Sequence, residues 1–100
     1  MREIRIADDF SPTPAGRYRN DGPRSGEAFR EDYLVPLLKE NEIVVVYLDG
    51  GEGYGQGFLE EAFGGLIRVC NMDPDDLRNR LIIETDDEEW RKDIIRCISV

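Results

Sequence analysis

A chain of 100 residues with 40% hydrophobic and 35% charged side chains has the size and balance of one globular domain, and folding at this length buries about two-thirds of the surface the unfolded chain exposes. Residues 1–30 carry six arginines against five acids, whereas residues 31–100 carry seven bases against seventeen acids, for a net charge of −9; such a body repels a phosphate backbone and excludes nucleic acid as a partner, while suiting basic protein surfaces. The longest strongly apolar run, Ile43 to Leu48, is far too short for a bilayer. The N-terminus has no signal-peptide pattern, so no membrane partner and a cytoplasmic location are expected.

In chain order, Glu3-Ile4-Arg5-Ile6-Ala7 alternates polar and apolar residues and predicts a strand with one buried face near a sheet edge. Ser11 to Gly26 reads as a loop broken by Pro12, Pro14, Gly16, Gly22 and Pro23, with room for a short strand at Arg17-Tyr18-Arg19. From Ser25, an N-cap candidate, the stripe Ala28, Phe29, Tyr33, Leu34, Leu37, Leu38 predicts a helix. Pro36 predicts a kink or break near Val35.

Glu42 to Leu48 is continuous and β-branched, the mark of a central strand covered on both faces. Asp49 to Gly53 ends it, and a second helical stripe runs from Phe58 to Cys70. Asp73-Pro74-Asp75-Asp76 opens a short helix to Arg80, Leu81 to Glu84 is another buried strand, and Thr85 to Glu88 has capping-box spacing ahead of a helix through Trp90, Ile94, Ile95, Cys97 and Ile98. Cys70 and Cys97 lie on apolar stripes and read as two reduced core thiols. With no histidine in the chain and the cysteines 27 positions apart, no zinc site and no histidine-based triad is expected.

Helices alternating with strands from residue 25 onward define an α/β class, a single domain over 1–100 with right-handed crossovers. Ligands of open α/β sheets sit beyond the C-terminal strand ends, which places residues 49–58 in view. The spacing Gly53-x-Gly55-x-Gly57 is neither G-x-G-x-x-G nor a phosphate loop ending in G-K-[ST]. Glu52, Glu60 and Glu61 repel an anion there, and acids at a helix start favour the macrodipole. Asp49, Glu52, Glu60 and Glu61 also read as a carboxylate cluster, but no nucleophile or base partner stands out, so no catalytic residue, metal or cofactor is expected. Gly64-Gly65 within a helix costs about 2 kcal/mol relative to alanine and implies close approach of a backbone, from the chain's own sheet or from a partner. The loop from Gly16 to Arg24 is the other candidate surface, its arginines either contacting a partner or pairing with the acidic body.

Arg17, Asp21-Gly22, Ser25-Gly26-Glu27, Phe29-Arg30, Gly53-Tyr54-Gly55 and F-L-E-E-A-F-G-G-L over 58–66 together resemble the STAS-like domains of unassigned function found in bacteria and their mobile elements. The resemblance covers nearly the whole chain. It implies a small STAS-like domain with an open mixed sheet of about four strands and helices packed on it. It also implies a non-enzymatic regulatory module similar to anti-sigma-factor antagonists, whose protein partners include ATPase or kinase-type anti-sigma regulators. In those antagonists a serine at the turn entering the helix after a central strand is phosphorylated. The corresponding turn here is 55–58, where the family pattern is close to G-Y-G-S-S-F-L-E-E-A-F-G-G-L and this chain has Gln56-Gly57, which lacks the phosphoacceptor.

The expected partner-binding residues are therefore Tyr54, Gly55, Gln56, Gly57, Phe58, Glu60, Glu61 and Gly64, with loop contacts from Arg17, Arg19, Asp21 and Arg24. A homodimer is also allowed for. The alternative reading is a small-molecule or nucleotide sensor using the same turn.

Overall fold

The computed structural model describes residues 1–99. Three short strands, β1 (Arg2–Arg5), β2 (Val44–Tyr47) and β3 (Leu81–Glu84), form one open sheet in the order β1-β2-β3. Both pairings are parallel, with Ile4 beside Val46 and Val46 beside Ile83. The sheet is thus three-stranded and wholly parallel rather than mixed and four-stranded. The strand allowed for at Arg17-Tyr18-Arg19 does not form. The Asp21 carboxylate accepts the N–H groups of Arg17 (3.2 Å) and Tyr18 (3.0 Å) and bends the chain into a 3-10 turn at Arg19–Asp21, a local alternative to strand pairing.

The same competition shortens β1. Asp9 Oδ2 accepts from Arg5 N–H at 2.8 Å, and the chain leaves the sheet through a π-helical turn at Ile6–Phe10 instead of extending to Ala7.

Four helices follow: α1 over 26–40, α2 over 56–68, α3 (Pro74–Arg80) and α4 (Glu88–Cys97). Ser25 caps α1 as expected, its Oγ accepting from Ala28 N–H. Of the kink or break expected near Val35, no break occurs, because Val35 keeps helical angles (φ −63, ψ −48). The irregularity is a π-helical turn one step earlier, Arg30–Leu34. Asp32, whose carbonyl the Pro36 ring would strike, lies inside that widened turn.

Helix α2 begins at Gln56, two residues earlier than its apolar stripe suggested. It ends before Cys70, where Asn71 takes φ +57 and Met72 N–H reaches back to Leu66 O, a left-handed stop. Asp73 caps α3 by accepting from Asp76 N–H. Helix α4 is capped by Asp87, which accepts from Glu89 and Trp90 N–H, and not by Thr85, whose hydroxyl is used elsewhere.

Successive strands step the same way across the sheet, so right-handed crossovers put their helices on one face. Ile4, Val44, Val46, Leu81 and Ile83 point into that face and join Phe29, Leu34, Phe58, Phe63, Leu66 and Ile94 in one core. The other face carries Glu3, Arg5, Tyr47, Ile82 and Glu84, which stay in solvent or half-buried, around Val45 at 6% exposure. The central position of β2 is as expected, but its cover on both faces is not helical on both. Arg5 stacks on the Tyr47 ring at 4.1 Å and the Tyr47 hydroxyl donates to Glu3 at 2.9 Å, so the second face is dressed by the sheet's own side chains.

Cys70 and Cys97 are free, as expected, but half-buried rather than core. None of the described helices is long and apolar enough to cross a membrane.

Candidate functional site

The C-terminal end of β2 is tied down before α2 begins. Asp49 accepts from the Thr85 hydroxyl at 2.5 Å and from Asp86 N–H at 2.8 Å, which joins the ends of β2 and β3. That is a structural duty for a carboxylate that could have been read as catalytic. Tyr54 donates its hydroxyl to Leu48 O and packs edge-on to Trp90 with ring centroids 4.9 Å apart. Burial pushes the Tyr54 phenol up to about 12, with the Asp49 charge adding to it.

The three alternating glycines do not share one reason. Gly53 sits at φ +117, a left-handed conformation that side chains rarely tolerate. Gly57 makes room for a neighbour, since an added Cβ would stand 3.0 Å from Cγ of Arg17. Gly55 has neither reason: its φ is −75, and an added Cβ would meet nothing within 4 Å. It is the N-cap of α2, yet no side chain caps the first turn, which leaves its N–H groups without a side-chain partner next to the exposed Gln56.

Behind this start, the adjacent acids Glu60 and Glu61 part company. Glu60 is half-exposed and meets Arg17 Nη2 at 2.7 Å. Glu61 is buried and meets Arg30 Nη1 at 2.7 Å, while the same nitrogen donates to Glu61 O at 2.6 Å. Arg30 is only 2% exposed. A charge removed from water this completely survives only when it is paired, so Glu61 serves the Arg30 pair and not merely the helix dipole.

The expectation that Gly64-Gly65 admits a backbone is corrected by the same pair. An added Cβ at Gly65 would overlap Nη1 of Arg30 and stand 2.9 Å from its Cζ, and one at Gly64 would stand 2.5 Å from Nη1 of Arg68. The close backbone approach between helices occurs instead at Gly26, where a Cβ would lie 2.5 Å from Phe58 O and 2.9 Å from Ala62 N. Arg30 as a buried ion-pair partner went unrecognised in the sequence. The available signal was an arginine at helical spacing on the apolar face of α1, opposite a glycine pair.

Of the residues read from the sequence as partner-binding, Phe58, Glu61 and Gly64 are buried and support the site from below. Gly55 and Gln56 are exposed, and Tyr54, Gly57 and Glu60 are half-buried. In the arginine loop, Arg17 pairs with Glu60, and Arg19 pairs with Asp32 at 3.0 Å and Glu31 at 3.2 Å. Pairing with the acidic body therefore accounts for these two. Asp21 folds the loop on itself, whereas Arg24 is exposed and makes no ion pair among the described residues. Between α2 and α4, Gln56, Glu60, Arg68, Asp93, Arg96 and Cys97 line a cleft of about 280 Å³. Burial holds the Cys97 thiol above its ordinary range, so it is a poor nucleophile there. Among the described residues no group of three or more acids or cysteines is placed to hold a metal ion.

A three-stranded parallel sheet with its helices on one face, and a glycine-rich turn leading from the central strand into a helix, define a small open α/β domain. Residues 25–89 match the model of the family described as STAS-like domain of unknown function (DUF4325); the chain belongs to that family. The matched span includes the central strand, the 50–58 turn and α2. Neither the curated proteins nor the solved structures contain a match to the chain.

Proposed function

We propose that the chain is a non-enzymatic regulatory module that binds a protein partner through the 50–58 turn and the exposed side of α2, without a phosphoserine switch. The observation that carries this reading is Gly55. It is a glycine that neither backbone conformation nor packing requires, placed at an uncapped helix start beyond the central strand. A small residue there keeps the first-turn N–H groups reachable by another protein. Gln56 and Gly57 offer no hydroxyl to a kinase, so recognition rests on shape and charge.

The resemblance to anti-sigma-factor antagonists speaks for an ATPase or kinase-type regulator of the anti-sigma class as that partner, and the net charge of −9 suits a basic surface on it. A small-molecule or nucleotide sensor is the competing reading. The adjoining cleft of about 280 Å³ lies at the lower edge of the usual range of about 300–1,000 Å³ for such sites and is lined mainly by charged and polar side chains, which suits a protein surface better than a mostly apolar small molecule.

Affinity capture with the wild-type chain and with Gly55→Arg tests the proposal. The arginine fits the backbone and projects into open space, so the fold is retained while a bound regulator is lost; equal capture by both chains would refute it. A nucleotide panel in a thermal-shift assay covers the competing reading, since a ligand at 100 times its dissociation constant adds about 2.7 kcal/mol.

A further inference from the structure

Two hydrogen bonds show which residues of the β1 edge look outward. Arg2 N–H donates to Ile43 O at 3.0 Å, so Arg2 and Ile4 turn their backbone groups toward β2, and Glu3 and Arg5 turn theirs away. The outward N–H of Arg5 meets no strand but the Asp9 carboxylate, which occupies the place of a neighbouring strand's carbonyl. The outward backbone groups of Glu3 carry no such guard among the described contacts.

Beside this edge runs a groove of about 420 Å³, with Ile4, Tyr33, Pro36 and Leu37 as its apolar lining. Its charged lining is Glu3, Asp9 and Asp32 against Arg2 alone, and Asp32 also pairs with Arg19.

We propose that the β1 edge takes an extended segment of a protein partner, paired as a fourth strand, with alternate apolar side chains entering the groove and the intervening basic ones on the open face beside Glu3. Strand addition suits this edge because main-chain bonds supply affinity while a groove beside the edge reads alternate side chains. The acid excess selects a basic segment and disfavours a second copy, which would bring the same acids and another net charge of −9. Asp9 acts as a placeholder that the incoming carbonyl displaces, keeping the edge from indiscriminate pairing when no partner is present. This surface does not depend on the 50–58 turn and stands or falls separately from it.

The test is a ¹⁵N-amide NMR titration of the full chain with a blocked hexapeptide of alternating lysine and valine, and with its glutamate–valine counterpart. The expected result is binding of the lysine peptide with a dissociation constant of about 1 mM or tighter. Shifts should concentrate at Arg2 to Arg5, Asp9, Tyr33 and Leu37, and Glu3→Lys should weaken binding of the lysine peptide about tenfold with the fold retained. The proposal is overturned by equal binding of the acidic peptide, by shifts centred on 53–57, or by no shifts at all, which would leave Asp9 as an edge guard only. Wild-type dimerisation through β1 in sedimentation would also overturn it, by assigning the edge to a second copy.

Discussion

Replacing Gly65 by alanine sets two effects of opposite sign against each other. In a helix interior the change is worth about 1 kcal/mol in favour of alanine from propensity alone. Here the new methyl overlaps the Arg30 guanidinium, standing 2.9 Å from Cζ and 3.1 Å from Cδ. Arg30 is 2% exposed, and the space the methyl takes is that of the Nη1 that meets Glu61, so the tip is pushed off Glu61 toward Glu31, 3.5 Å from its Nη2. Breaking a buried ion pair by displacing one partner costs about 3–5 kcal/mol, and the net expectation is a loss of about 2–4 kcal/mol. For a domain of this size that lowers the melting temperature by at least about 8 °C, readable by circular dichroism.

Gly64→Ala is the internal control. Its methyl meets Nη1 of Arg68, whose side chain is 54% exposed and can swing outward, so alanine there is neutral or stabilising by up to about 1 kcal/mol. If Gly65→Ala stabilises as much as Gly64→Ala, the glycine is not holding space for the ion pair and the reasoning fails.

Two further perturbations probe the scaffold of the site. The Tyr54 phenol is raised from 10.0 to about 12 in the folded chain, so the folded state holds its proton where the unfolded state has lost it. The stability this contributes is complete below about pH 10 and disappears as pH rises toward 12. Urea titrations at pH 9 and pH 11 should show that loss, and Tyr54→Phe should show a smaller alkaline decline; equal declines would contradict the assignment. Asp87→Ala removes the acceptor for Glu89 and Trp90 N–H and should cost about 1 kcal/mol, whereas a Thr85→Ala effect should trace to lost contacts with Asp49 and Asp87 N–H rather than to a cap. Hydrogen exchange in the first turn of α4 separates the two, rising only for Asp87→Ala.

The elements that were legible are those whose signals are local. Val44 to Tyr47 announces a central strand by its β-branched run, Ser25 and Asp73 announce helix starts by their hydroxyl and carboxylate, and the stripe Phe58, Leu59, Ala62, Phe63, Leu66 announces the buried side of α2. The candidate turn was legible too, because an open α/β sheet places its functional loop after a central strand. The fourth strand was misread because Arg17-Tyr18-Arg19 does alternate, while the Asp21 carboxylate that captures its amides lies outside that pattern. The cap of α4 was misassigned because Thr85 and Asp87 both suit the role, and only the position of Asp49 decides where the threonine hydroxyl goes.

By itself, the sequence determined what depends on near neighbours: the alternation of strands and helices, most of their boundaries, the apolar stripes, and a turn without a phosphoacceptor. Only the tertiary structure decided which of two adjacent glutamates is buried, which arginine it meets 31 positions away, and which side chain each glycine of Gly64-Gly65 accommodates. The physical reason is that backbone preferences act over a few residues, whereas desolvation and close packing are settled by whatever the fold brings alongside. Gly55 illustrates the difference: in the sequence it is one of three alternating glycines, and only the packed structure shows that it alone is under no obligation to the fold.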